Sequence, residues 1–178
     1  NAYTGHQDTA FCVVRYGNVM GSRGSVIPYF RSIAHTGELP ITDERMTRFM
    51  ITLEAGVELV MRALKEGFGG EIFVPKIPSM KVIDVAKTIA PQAKLKIVGI
   101  RPGEKIHEMM ISEEDARTTF EYDSYYNILP AIHDWHRCSD RIGKGKKCRE
   151  GFSYSSGNNM EWMKSGELLA WLKDEYST

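Results

Sequence analysis

Two stretches of this 178-residue chain carry side chains whose types and spacing could do chemistry. In the first, an apolar segment from Phe11 to Val14 leads into Gly17, Gly21 and Gly24, with Asn18, Ser22, Arg23 and Ser25 between them, and a helical pattern starts at about Pro28. Strand, glycine-punctuated polar loop and helix, in that order, set backbone N–H groups and an Arg against a phosphate in many α/β folds. The spacing is not GxGxxG, so no dinucleotide fingerprint is read here. The other reading is a plain strand-to-helix turn whose glycines relieve backbone strain. The second stretch is Arg101-Pro102-Gly103-Glu104, delivered by the apolar segment Leu95 to Ile100. An Arg fork donates two parallel bonds to a phosphate. A carboxylate only accepts, which suits hydroxyl groups. The alternative for this pair is one local ion pair at a strand end, worth little.

The elements that must hold these groups follow from periodicity. Phe11 to Tyr16 reads as a strand apolar on both faces, as in a parallel sheet covered by helices. Val26, Phe30, Ile33 and Ala34 repeat at helical spacing up to a stop at Gly37. Leu39 to Thr42 is a short strand, followed by the charged run Asp43 to Arg48. Thr52 caps a helix whose apolar stripe is Leu53, Val57, Val60, Met61 and Leu64, ending at Gly67. Glu71 to Val74 is a strand closed by Pro75 and Pro78. Ser79 caps a helix with Val82, Val85, Ala86 and Ile89 inward, stopping before Pro91. Leu95 to Ile100 is a third buried strand, and a helix runs from about Glu104 to Met110, ahead of the acidic patch Glu113 to Asp115. Thr119 to Leu129 has strand composition. Residues 131–160 are loop-rich and include the basic run Arg141 to Arg149. Ser165 caps a last helix with the stripe Leu168, Leu169, Leu172 and Tyr176, and the polar residues 1–10 are expected to fray. Alternating strands and helices give a mixed α/β class with a mainly parallel sheet.

Composition narrows the function classes. The 23 Lys and Arg balance 23 Asp and Glu, so neither a general nucleic-acid binder nor a membrane-surface binder is indicated. Hydrophobic residues make up 42% and the mean hydropathy is −0.32, as in a globular chain with a real core. Three cysteines, Cys12, Cys138 and Cys148, are an odd count and read as cytoplasmic usage. No apolar run approaches the ~20 residues of a membrane span, and the first residues lack the pattern of a signal peptide. His133, His136, Cys138 and Cys148 are zinc-ligand types, but their spacing matches no standard finger, so no metal is expected.

Four longer motifs, in order, carry a resemblance. They are RYGNVMGSRGSVIPYF (Arg15 to Phe30), PITDERMTRFMITLEAGVELV (Pro40 to Val60), GGEIFVPKIPSMKVIDVAK (Gly69 to Lys87) and IVGIRPGEKIHEMMI (Ile97 to Ile111), with a weaker echo in Phe152 to Asn159. Together they resemble the extended short-chain dehydrogenase/reductases acting on nucleotide sugars, and among these the inverting UDP-N-acetylglucosamine 4,6-dehydratases of bacterial surface-sugar synthesis. The resemblance implies an α/β fold: the last parallel strands of a Rossmann-type domain interleaved with a small substrate-binding subdomain. It implies NADP as the redox carrier, a UDP-sugar substrate, and a reaction that oxidises C4, eliminates water across C5–C6 and reduces C6 with inversion at C5. Family members begin with a Rossmann half holding a pyrophosphate loop and a Tyr-x-x-x-Lys pair. No Tyr-x-x-x-Lys occurs here, so the chain is expected to be the C-terminal half, inactive alone, with no catalytic residue of its own and a truncated face prone to self-association.

Residue by residue, the resemblance assigns Asn18, Val26, Thr42, Arg101 and Glu104 to the nucleotide sugar, and Val19, Met20, Gly21, Ser22 and Arg23 to the cofactor. Each has a plainer alternative: Asn18 supporting a turn, Arg23 in a surface ion pair, Val26 in the core, Thr42 as an ordinary strand residue. Arg45 and Arg48 read as a surface or subunit-contact network, and His107 as a packed or solvated helix residue. A non-catalytic UDP-sugar-binding or assembly module, a retaining dehydratase and a sugar 4-epimerase remain as competing readings.

Overall fold

A computed structural model of the chain describes residues 9–176; part of the polar start expected to fray, residues 1–8, lies outside the described residues. In chain order the strands and helices begin with β1 (Val13–Val14), β2 (Asn18–Val19), α1 (Val26–Ile33), β3 (Glu38–Ile41), β4 (Thr47–Ile51) and α2 (Leu53–Glu66). They continue with β5 (Ile72–Pro75), β6 (Ser79–Lys81), α3 (Val82–Ile89), β7 (Lys94–Ile97), β8 (Met109–Ile111) and β9 (Thr119–Glu121). The last are β10 (Tyr125–Ile128), α4 (Ser139–Ile142), β11 (Lys146–Lys147), β12 (Tyr154–Ser155) and α5 (Ser165–Tyr176). The described residues separate into two units, one of residues 9–16, 53–76 and 109–154, the other of residues 17–52, 77–108 and 155–176.

The first unit is a five-stranded sheet in the order β1-β5-β10-β9-β11. β1 runs parallel to β5, with Val13 opposite Ile72, and the remaining pairs are antiparallel. The antiparallel share comes from Tyr122 to Ser124, which turn what reads as one long strand, Thr119 to Leu129, into a hairpin. α2 lies on β1 and β5 and buries Gly56, Leu59 and Ala63. The stripe expected to face the core, Leu53, Val57, Val60, Met61 and Leu64, is exposed, up to 75% at Leu64. A helix apolar on two faces is one built to be covered twice, and only one face is covered among the described residues. β1 departs in the same way. Instead of a buried strand over Phe11 to Tyr16 it pairs over two residues and leaves Phe11 and Val13 more than half exposed, because it is the sheet's edge.

Within the same unit, residues 131–151 are tied down more firmly than their loop-like composition suggests. Glu71 is 1% exposed and accepts from Arg141 Nη1 at 2.6 Å and from the N–H groups of Phe68 and Gly69. The Arg141 guanidinium also stacks on the Trp135 ring, 3.9 Å from its centroid.

The second unit pairs β2 parallel to β4 and β4 antiparallel to β6, and sets β3 parallel to β7 as a separate ribbon. α1, α3 and α5 close over these strands on a core of Ile27, Phe30, Leu39, Ile41, Met50, Met80, Val85 and Leu168. Gly17 admits the chain to β2: a Cβ there would collide with Phe49 on β4. The expected helix stop at Gly37 is present, with φ +73°. Ser79 is a strand residue rather than a cap, and Lys81 precedes α3. β7 is a half-exposed ribbon edge instead of a buried strand. The helix expected from Glu104 to Met110 does not form; Gly103 sits at φ +85° and the segment turns on itself. No helix among the described residues is long and apolar enough to cross a membrane.

Candidate functional site

The second unit contains a cavity of ≈ 410 Å³, within the range that holds a small organic ligand. Asn18, Val26, Thr42, Arg101 and Glu104 all line it. They arrive from five places: the start of β2, the first turn of α1, the residue after β3, and both ends of the Arg101–Glu104 turn. The rest of the wall is apolar or aromatic, including Tyr29, Phe30, Pro40, Met46 and Val98, together with Ser25 and Arg48.

Three of the polar groups here lack a partner among the described residues. The Ser25 hydroxyl is buried and unpaired, although Ser25 is the N-cap residue of α1 and could have bonded its own helix. Among the described residues, no hydrogen bond or ion pair engages the Asn18 amide or the Arg101 guanidinium. Arg101 and Glu104 do not form the local ion pair offered as their alternative. Glu104 Oε2 instead accepts from the Arg101 backbone N–H at 2.9 Å, which closes the turn and leaves the guanidinium free. Arg48 is paired with Glu108 at 3.5 Å, so the unpaired cation of the lining is Arg101, a group that suits an anion.

Arg48 corrects the surface reading. Its side chain is 15% exposed, lines the cavity, and donates to the carbonyl oxygens of Thr47 at 2.7 Å and Ile106 at 3.2 Å. The overlooked signal is the alternation Thr47-Arg48-Phe49, which puts Arg48 on the opposite face of β4 from two buried residues. Arg45 does stay outside, gripping Asp43 at 2.8 Å and, by those hydrogen bonds, holding its carboxyl down to about 2.

Behind the Arg101–Glu104 turn lies a second feature the motifs did not disclose. Thr47 Oγ1 is 2.8 Å from His107 Nδ1 and 2.7 Å from Ser156 Oγ. Ser156 Oγ accepts from the Glu108 N–H at 2.9 Å, and the Thr47 N–H donates to the Ile106 carbonyl oxygen at 2.9 Å. Residues 106–108 are thereby clasped to β4. Gly157 leaves room for the His107 ring, which a Cβ would meet at 2.7 Å. His107 is thus held by a side chain on another strand, not carried on a helix.

The residues assigned to a cofactor are placed differently. Val19 to Arg23 do not line the cavity. Met20 is buried in the core. Gly21, at φ +74°, has the Trp171 ring where a Cβ would stand. Ser22 and Arg23 are exposed, and Arg23 makes no ion pair among the described residues.

Comparison with known proteins fits this geometry. Residues 1–130 match the family described as "Polysaccharide biosynthesis protein". The chain belongs to this family. It is 51% identical over 176 residues to the UDP-N-acetylglucosamine 4,6-dehydratase (inverting) of Campylobacter jejuni subsp. jejuni serotype O:23/36 (strain 81-176), covering 95% of this chain and 53% of that protein. It is 42% identical over 171 residues to the UDP-glucose 4-epimerase of Rickettsia canadensis (strain McKiel), covering 91% of this chain and 50% of that one. Among solved structures, the X-ray structure of Pen from Bacillus thuringiensis superposes with a TM-score of 0.78 at 30% identity, over 94% of this chain and 50% of the other. The mixed α/β architecture of this chain is consistent with part of a Rossmann-type extended short-chain dehydrogenase/reductase. The chain spans about half the length of the curated relatives it matches.

Proposed function

We infer that the second unit binds the UDP portion of UDP-N-acetylglucosamine, as the substrate-gripping part of an inverting 4,6-dehydratase that makes sugars for bacterial surface polysaccharides. One observation carries this reading: five residues picked by motif, separated by up to 86 positions between Asn18 and Glu104, share one cavity in which the Asn18 side-chain amide and the Arg101 guanidinium have no partner among the described residues. The free Arg101 guanidinium, with Arg48 beside it, is chemically matched to a diphosphate. Among the described residues, Glu104 keeps Oε1 free while Oε2 holds the Arg101 N–H, and can accept from ribose hydroxyls. Tyr29 and Val26 offer apolar surface for a flat base.

NADP, when bound, supplies hydride acceptance and return. Ser22 and Arg23, exposed donors on the loop before α1, would meet part of it. Gly21 would not, because its open side is filled by Trp171. This chain holds no Tyr-x-x-x-Lys pair. It therefore orients the substrate and turns nothing over by itself. We assign it to the cytoplasm, where its cysteine usage fits, and to a self-associated state through the apolar surface of the first unit.

Calorimetric titration with UDP-N-acetylglucosamine tests this. Saturable binding by the wild type, lost in Arg101→Ala, is the expected result. No binding by the wild type, or a 4-keto product formed by this chain alone, would refute it. The similarity to a protein named as a UDP-glucose 4-epimerase favours one second reading, a 4-epimerase of the same substrate class. Product analysis of the complete enzyme separates the two: loss of water marks the dehydratase and an inverted C4 hydroxyl the epimerase.

A further inference from the structure

The loop between β2 and α1 delivers Ser25 to the cavity wall. It is held by two weak turns, Ser22 N–H to the Val19 carbonyl oxygen at 3.2 Å and Ser25 N–H to the Ser22 carbonyl oxygen at 3.0 Å. Its glycines, at φ +74° and +78°, allow many other conformations. What restrains it comes from the far end of the sequence. A Cβ on Gly21 would stand 2.8 Å from the edge of the Trp171 ring and 3.4 Å from the Tyr176 hydroxyl. Tyr176 meets Trp171 edge-on, with ring centroids 6.0 Å apart and planes at 88°. On its own face, Tyr176 carries the Arg31 guanidinium of α1, 3.4 Å from the ring centroid. Leu168, fully buried, anchors α5 in the core beneath. α5 lies outside the part of the chain that matches the family, residues 1–130.

We propose that Trp171 is a positioning residue: braced by Tyr176, its ring holds the Gly21–Ser25 loop in the conformation that sets Ser25 in the cavity wall. α5 thereby sets nucleotide-sugar affinity without touching the ligand. The loop is preorganised by packing, which spares the ligand the cost of ordering it. The affinity part of this inference rests on the cavity being the UDP-sugar site; the loop-holding part does not.

The test measures both on the full chain. Without ligand, hydrogen exchange at the Ser22 and Ser25 amides is expected to quicken by about tenfold or more in Trp171→Ala and to stay near wild type in Trp171→Phe. The Met50 amide, which donates to the Pro78 carbonyl oxygen at 2.9 Å, serves as the internal control and is expected not to change. With UDP-N-acetylglucosamine, Kd is expected to rise about tenfold in Trp171→Ala and to be largely rescued by Phe. Gly21→Ala weakens binding both by pushing on the ring and by backbone strain at φ +74°, and adding Trp171→Ala relieves the first part only, a partial rescue that general destabilisation would not produce. Loop exchange unchanged in Trp171→Ala, or raised equally at Met50, would overturn the inference. If the wild type fails to bind, the functional reading and the affinity part fall together, and the exchange data alone decide whether Trp171 holds the loop.

Discussion

Replacing Ser156 by Ala probes the clasp behind the Arg101–Glu104 turn more sharply than any change at the cavity wall. Ser156 is fully buried. Its hydroxyl accepts from the Glu108 N–H at 2.9 Å, meets Thr47 Oγ1 at 2.7 Å, and lies 3.2 Å from the Thr47 carbonyl oxygen. Ser156→Ala strands the Glu108 N–H, a cost of about 1–3 kcal/mol, and removes the bond to Thr47, about 1 kcal/mol more. Because Glu108 is only part-buried, the sum belongs near 2–3 kcal/mol, in order of magnitude. Thr47→Val, which touches the same network, should cost about 1 kcal/mol. In that variant Ser156 keeps both the Glu108 N–H and the Thr47 carbonyl, and the exposed imidazole turns to water. Urea unfolding reads both: with a slope of roughly 2 kcal/mol per M, the Ser156→Ala midpoint falls by about 1 M and that of Thr47→Val by about half as much. Nucleotide-sugar affinity falls in the same order, since residues 106–108 hold the end of the turn that carries Arg101. A Ser156→Ala cost below about 0.5 kcal/mol, or a reversed order, would refute the claim that the clasp depends on the serine.

Two further outcomes follow from the first unit. Arg141→Ala leaves the Glu71 carboxylate, 1% exposed, with backbone N–H groups but no cation; a loss of about 3–5 kcal/mol is expected, read as a lowered thermal midpoint, and an unchanged midpoint would show that water reaches Glu71. The exposed stripe of α2 with Phe11 and Val13 is expected to drive self-association of the wild type, and Leu64→Glu, on the most exposed stripe residue, to reduce it. Sedimentation that shows a compact wild-type monomer would count against this surface.

The four longer helices were legible because 3.6-residue periodicity survives whichever face is covered, while the helix expected over Glu104 to Met110 did not form. α1, α2, α3 and α5 each form where their stripes place them. What periodicity does not reveal is which apolar face meets the rest of the chain. α2 has apolar residues on two sides, and packing against β1 and β5 covers the face with Gly56, Leu59 and Ala63. β4 was hidden because the charged run Asp43 to Arg48 flows into it without a turn residue. Its first two residues, Thr47 and Arg48, are polar, so the apolar remainder, Phe49 to Ile51, was too short to stand out against the helix that follows.

The cavity and the clasp differ in the same physical way. Arg101 and Glu104 stand out by their own chemistry, whereas Asn18, Val26 and Thr42 were assigned through the resemblance, and Val26 also packs against the core. A free Arg after a strand, beside a turn-forming Gly and a Glu, has few purely structural uses. Thr47, His107 and Ser156 each satisfy one another across 60 and 109 positions of sequence. Taken singly, a strand Thr, an exposed His and a Ser in a turn are among the least informative residues a chain can have. Their meaning exists only once β4 and residue 156 have been brought together. The Gly21–Trp171 pair completes the contrast. The glycine suggested close backbone approach to a cofactor, and close approach is what the structure contains, but from the side chain of α5. A glycine reports that something comes near. It does not report what, and here the answer lies 150 residues downstream, beyond the part of the chain that matches the family.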